Sequence, residues 1–91
     1  MTVNGKIDEL NLRNITEIIE FNNLLKVVDS KHFQNNRKFE YWFKIEFVKP
    51  VLKPDFSQEI PKIIKLGFYI SAFKHFDTDP ENIIDIWFTK F

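Results

Sequence analysis

Two histidines, His32 and His75, are the only side chains in this 91-residue sequence expected to titrate near neutrality, so proton-transfer or metal chemistry would have to begin with them. A metal centre needs several His, Cys or carboxylate ligands that converge, yet no HxH, HxxxH or CxxC spacing occurs and there is no cysteine. Both histidines read as surface or loop residues. Ser30 or Ser71 can be grouped with a His and an Asp on paper, but nothing resembles the sharp strand-to-helix turn that exposes a nucleophilic serine. Asp77, Asp79, Glu81 and Asn82 gather oxygen ligands, but the glycine and distal glutamate of a calcium loop are missing, so the stretch reads as a solvated turn. Gly 2 in the whole chain leaves no material for a glycine-rich phosphate loop. Asn14-Ile15-Thr16 matches a glycosylation sequon, which carries no meaning without a secretion signal. The residues therefore point to a protein that is not an enzyme and holds no cofactor or metal.

Binding chemistry is better represented. Lys31, Arg37, Lys38, Lys49, Lys53, Lys62 and Lys65 surround an aromatic stretch, and with Trp42 and Tyr69 they could form a stacking platform for single-stranded nucleic acid. Glu40, Glu46, Asp55 and Glu59 lie among them and weaken that field. Over the whole chain Lys+Arg 13 balance Asp+Glu 13, so no net charge steers nucleic acid or an anionic membrane toward the protein. The opening MTVNGKIDEL lacks a signal-peptide core, and no apolar run of about 18 residues occurs, which leads to the expectation of a cytoplasmic, soluble protein. Phe 11 is a high count, and together with many Ile, Lys and Asn it matches the codon bias of an AT-rich genome.

The clearest element that could position these groups is Phe39 to Val48. Phe39, Tyr41, Phe43, Ile45 and Phe47 alternate with Glu40, Trp42, Lys44, Glu46 and Val48, the period of a strand with one apolar and one mixed face. Ile63 to Phe73 reads as a second strand, with Ile64, Leu66, Phe68, Ile70 and Ala72 on one face, Gly67, Tyr69, Ser71 and Phe73 on the other, and Gly67 marking a bulge or close backbone contact. Ile83 to Phe91 reads as a third, joined to the second by the turn at 76–82 into an antiparallel hairpin. Upstream, Asn14 and Glu17 form a capping box, and Ile15, Ile18, Phe21, Leu25 and Val28 recur at helical spacing, so a helix is expected over 15–28. A hairpin turning at Asn22-Asn23 is the alternative. Thr2 to Ile7 reads as a frayed end or short edge strand, Lys31 to Lys38 as a polar connection, and 49–56 as a loop broken by Pro50 and Pro54. Ser57 to Lys65 has room for one helical turn, provided that Pro61 lies near its start.

These elements predict one α+β domain over 1–91: two layers, with an antiparallel sheet of three to five strands and an N-terminal amphipathic helix packed on one face; an all-β meander is the alternative. Alternation then turns Trp42, Tyr69, Phe73, Trp87 and Phe91 outward together, with Glu40, Lys44, Glu46 and Asp85 around them. An aromatic cluster rimmed by charge is how a protein-binding hot spot is built. The expected function is a non-enzymatic protein-binding protein, a small inhibitor of the immunity-protein or phage anti-defence type acting by occlusion. Its partner-binding residues would be Trp42, Trp87, Tyr69, Phe73, Glu40, Glu46 and Asp85. A single-stranded nucleic-acid accessory domain and a homodimer joined through the same face are the alternatives.

Overall fold

The computed structural model describes residues 3–35, 38–47 and 56–90. In chain order the elements are α1 (Val3–Glu20), β1 (Leu25–Asn35), β2 (Lys38–Phe47), α2 (Glu59–Lys65), β3 (Phe68–Lys74) and β4 (Ile83–Lys90). The strands form one antiparallel sheet in the order β1-β2-β4-β3, with β1 and β3 at its edges. Both helices feed the core on one face of that sheet, so the architecture is a two-layer α+β domain. Among the described residues, no helix is long and apolar enough to cross a membrane.

β2 behaves as its pattern demands: Tyr41, Phe43, Ile45 and Phe47 are buried, while the residues between them are partly exposed. Ile84, Ile86 and Phe88 of β4 continue the apolar layer. Its aromatic rings meet edge to face, Tyr41 on Phe68 at 5.2 Å and Phe43 on Phe88 at 5.8 Å.

The N-terminal third departs from the sequence expectation. The helix begins at Val3, not at an Asn14 cap, so the stretch read as a frayed end or edge strand is helical. It ends at Glu20, and Leu25 to Val28 belong to β1. The buried stripe is Leu12, Ile15 and Ile19, and the helix stops just short of Phe21, which is 81% exposed. The cause of the early start lies in two polar positions that extend the same stripe toward the N-terminus. Asn11 Nδ2 donates to the Tyr41 hydroxyl at 3.1 Å, and that hydroxyl donates to Asp8 Oδ1 at 2.6 Å. A helix face that buries polar groups against a core tyrosine shows no apolar period. Burial, and next the bond to Asp8, push the Tyr41 phenol up to about 12. The same Asp8 carboxylate holds His32 Nδ1 at 3.5 Å, because His32 sits opposite Tyr41 on the inner face of β1.

The turn at Asn22-Asn23 joins helix to strand, where the alternative reading had placed the bend of a hairpin. Asn22 Oδ1 accepts from the Leu24 amide at 3.0 Å, and its Nδ2 donates to the buried Glu59 at 3.0 Å, which ties this turn to α2. β1 then runs to Asn35 and pairs with β2 from Leu25↔Phe47 to Asn35↔Lys38, so the segment read as a polar connection is strand through Asn35. Its polarity follows from its edge position, where charged side chains discourage pairing with another chain.

Residues 63–65, expected as strand, are the end of α2, with Pro61 in its first turn where the missing amide hydrogen costs nothing. Ile63 is buried, whereas Ile64 and Leu66 are exposed. Gly67 has a φ of 95° and open space around the position of a Cβ, so it is there to end the helix in the left-handed conformation, not to admit a neighbour. Its amide donates to the Ile64 carbonyl at 2.9 Å. The proline-rich 49–55 and Phe91 lie outside the described residues.

Candidate partner-binding site

The sheet face turned away from the helices can be laid out row by row from the strand register. One row reads Asp29, Lys44, Asp85, Lys74 from β1 across to β3; the next reads Lys31, Trp42, Trp87, Ala72; the third reads Phe33, Glu40, Thr89, Tyr69. Trp42 and Trp87 are therefore direct cross-strand partners on the two central strands. Glu46 lies at the end, opposite Lys26.

Two one-residue bulges decide this layout. Val28 in β1 and Ser71 in β3 each have no partner in the register, and beyond each the alternation inverts. Because of the second, Phe73 pairs with Ile86 and falls on the helix side, where its ring meets Phe56 edge to face at 6.1 Å. The expectation that Phe73 joins the tryptophans is corrected by that inversion. Ser71 itself turns its hydroxyl to the Trp87 carbonyl at 3.1 Å.

The two tryptophans are half-buried and held in place. Trp42 Nε1 donates to Asp85 Oδ2 at 2.6 Å, and Lys44 Nζ lies 5.9 Å from the Trp42 ring centre while reaching Asp79 at 3.5 Å. Trp87 is flanked by Lys74 Nζ at 6.0 Å and by the edge-to-face ring of Phe76 at 6.3 Å. Asp85, expected as a surface charge of the rim, is only 2% exposed. Its Oδ1 finds no hydrogen-bond donor among the described residues, an arrangement that costs on the order of 1–3 kcal/mol. Between the tryptophan row and its neighbour the twisted face forms a concavity of about 370 Å³, lined by Phe33, Glu40, Ser71, Ala72, Lys74 and Trp87. All four strands contribute to it.

His75, Asn82 and Asp79 have structural partners. His75 Nδ1 lies 2.8 Å from the Ile83 carbonyl, which can only accept, so that nitrogen carries the hydrogen. Asn82 Nδ2 donates to the Phe47 carbonyl at 3.3 Å, and Asp79 takes the ion pair with Lys44. Among the described residues, no three His, Cys, Asp or Glu side chains come together as metal ligands. Tyr41, held protonated by burial and by its bond to Asp8, serves as a hydrogen-bond donor.

A second surface escaped the sequence reading. Phe21, expected in the core, lines two adjoining hollows of about 560 and 340 Å³ between α1 and α2, with Ile18, Lys62, Leu24 and Leu66 on their walls. Lys62 Nζ covers its ring at 5.1 Å. The signal available was the Asn22-Asn23 pair, which turns the chain directly after Phe21, so that α1 stops at Glu20 and no further helical turn covers that ring.

No protein-family model matches the chain, and searches of curated proteins and of solved structures returned no match. The class that the fold defines is a two-layer α+β domain, and its outer sheet face carries a cross-strand tryptophan pair.

Proposed function

We propose that this chain is a non-enzymatic protein-binding protein that acts by occlusion, with the outer sheet face as its docking surface. The observation that carries the reading is the concavity to which all four strands contribute, with Trp87 in its wall, Trp42 paired with Trp87 in the register beside it, and charges of both signs around them. Half-buried aromatic rings already held in one geometry lose little freedom on binding, which is what makes such residues hot spots. The row Asp29, Lys44, Asp85, Lys74 alternates in sign, which suits a protein surface and supplies no continuous positive track for a phosphate backbone. A small inhibitor of the immunity-protein or anti-defence type is the form of occlusion this size and surface would serve.

The test is affinity capture from the native cells with the wild-type chain and a Lys31→Glu/Phe33→Ser variant. Both side chains are exposed on β1 and lie in the tryptophan row and the row beside it, so the fold should survive their change. Replacing Trp42 would be less clean, because its indole is the donor Asp85 has among the described residues. A stoichiometric protein retained by the wild type and lost by the folded variant is the expected result. Equal capture by both, or recovery of only a second copy or nucleic acid, rejects the reading.

A further inference from the structure

Resting on that docking surface, we infer that Asp85 is an anchor for an arginine of the partner, whose guanidinium stacks on the tryptophan pair and donates to Asp85 Oδ1. Three observations converge on this atom. The carboxylate is 2% exposed at the centre of the sheet, and one oxygen is fully engaged by Trp42 at 2.6 Å while the other has no donor among the described residues. The two cations best placed to satisfy it, its cross-strand neighbours Lys44 and Lys74, lie instead by the indole rings at 5.9 and 6.0 Å, and Lys44 is committed to Asp79. Both are long flexible chains, so an incoming group can move them aside without disturbing the backbone. The concavity walled by Trp87 and Lys74 lies beside this position without reaching the carboxylate, so displacement of Lys74, the cross-strand neighbour of Asp85, is what would open the approach.

The chemistry selects arginine over lysine. A guanidinium can lie flat against an indole and still donate from its edge to a carboxylate, whereas an ammonium is a compact charge with a tightly held hydration shell. Asp29, Glu40 and Glu46 on the same face add negative potential, against which Lys26, Lys31, Lys44 and Lys74 set the requirement for a directional bond. Burial of Asp85 with an unmet acceptor destabilises the free protein, a cost that binding of such a donor would recover.

Titration of the ¹⁵N-labelled full chain with N-acetyl-arginine amide, followed at the Trp42 indole Nε1–H resonance, tests the inference. A saturable shift is expected with the arginine amide, at least about fivefold weaker binding of N-acetyl-lysine amide, and no saturation with sodium chloride. Asp85→Asn should weaken arginine binding by about tenfold or more. Lys74→Met, which keeps the stem and removes the competing charge, should tighten it, and it carries the test if Asp85→Asn does not fold. An equal response to lysine or salt, wild-type binding by folded Asp85→Asn, or no tightening in Lys74→Met overturns the proposal. Its failure alongside loss of the captured protein in Lys31→Glu/Phe33→Ser would remove the arginine and leave the docking surface standing.

Discussion

Tyr41→Phe probes the polar contact between α1 and the sheet in a way that can be worked through quantitatively. The folded phenol holds its proton to about 12 because it is buried and donates to Asp8, while in the unfolded chain it titrates near the ordinary tyrosine value of about 10. The folded state therefore binds more protons between these values, so stability is fully present below pH 10 and falls as pH rises toward 12. For one group with those two pKa values, the loss is on the order of 1 kcal/mol by pH 11 and on the order of 2–3 kcal/mol above pH 12. Phenylalanine lacks the titration altogether. It also leaves Asp8 and Asn11 without their shared partner, which should cost about 1–3 kcal/mol at neutral pH. Urea unfolding followed by tryptophan fluorescence at pH 8, 9, 10 and 11 would measure both effects. The wild-type advantage should narrow by on the order of 1 kcal/mol between pH 8 and pH 11. A gap that stays constant across that range would refute the buried, donating role of Tyr41.

Phe21→Ser should change stability by less than about 1 kcal/mol, whereas Ile19→Ala, two residues earlier and fully buried, should cost about 2–5 kcal/mol; equal losses on chemical unfolding would contradict the placement of both. Asn14→Ala lies inside α1, not at its start, so it should be neutral or stabilising by about 0.5 kcal/mol, and a loss above about 1 kcal/mol would restore the cap. Gly67→Ala should lower stability by about 1–2 kcal/mol through backbone strain alone, since no atom stands within 4 Å of the added methyl; an unchanged melting temperature would argue against the positive φ.

The sheet was legible because its core strands are regular. β2 and β4 alternate without interruption, so their inner residues, the Trp42–Trp87 face and the hairpin that closes on β3 followed from residue type and period two. The helix was half legible. Ile15 and Ile19 carry its apolar stripe, but Asp8 and Asn11 continue the stripe in polar form, and they are recognisable as buried only once Tyr41 stands opposite them. Likewise 63–65 read equally well as strand, because a short apolar run has no period of its own and the helix end is signalled by one glycine.

Sequence alone thus determined the layers, the central strands and the presence of an aromatic face, since these depend on local alternation and on what must be buried. Tertiary structure alone decided which side chains share that face and what state they are in. The bulge at Ser71 sends Phe73 to the helix side, and no residue type announces a bulge, because it is a property of two strands and not of one. Asp85 reads as a rim charge in the sequence and becomes a buried acceptor only because Trp42, 43 residues away in the chain, closes over it with its indole hydrogen. Contacts between distant residues fix desolvation and hydrogen bonding, and those two quantities govern the chemistry of this surface.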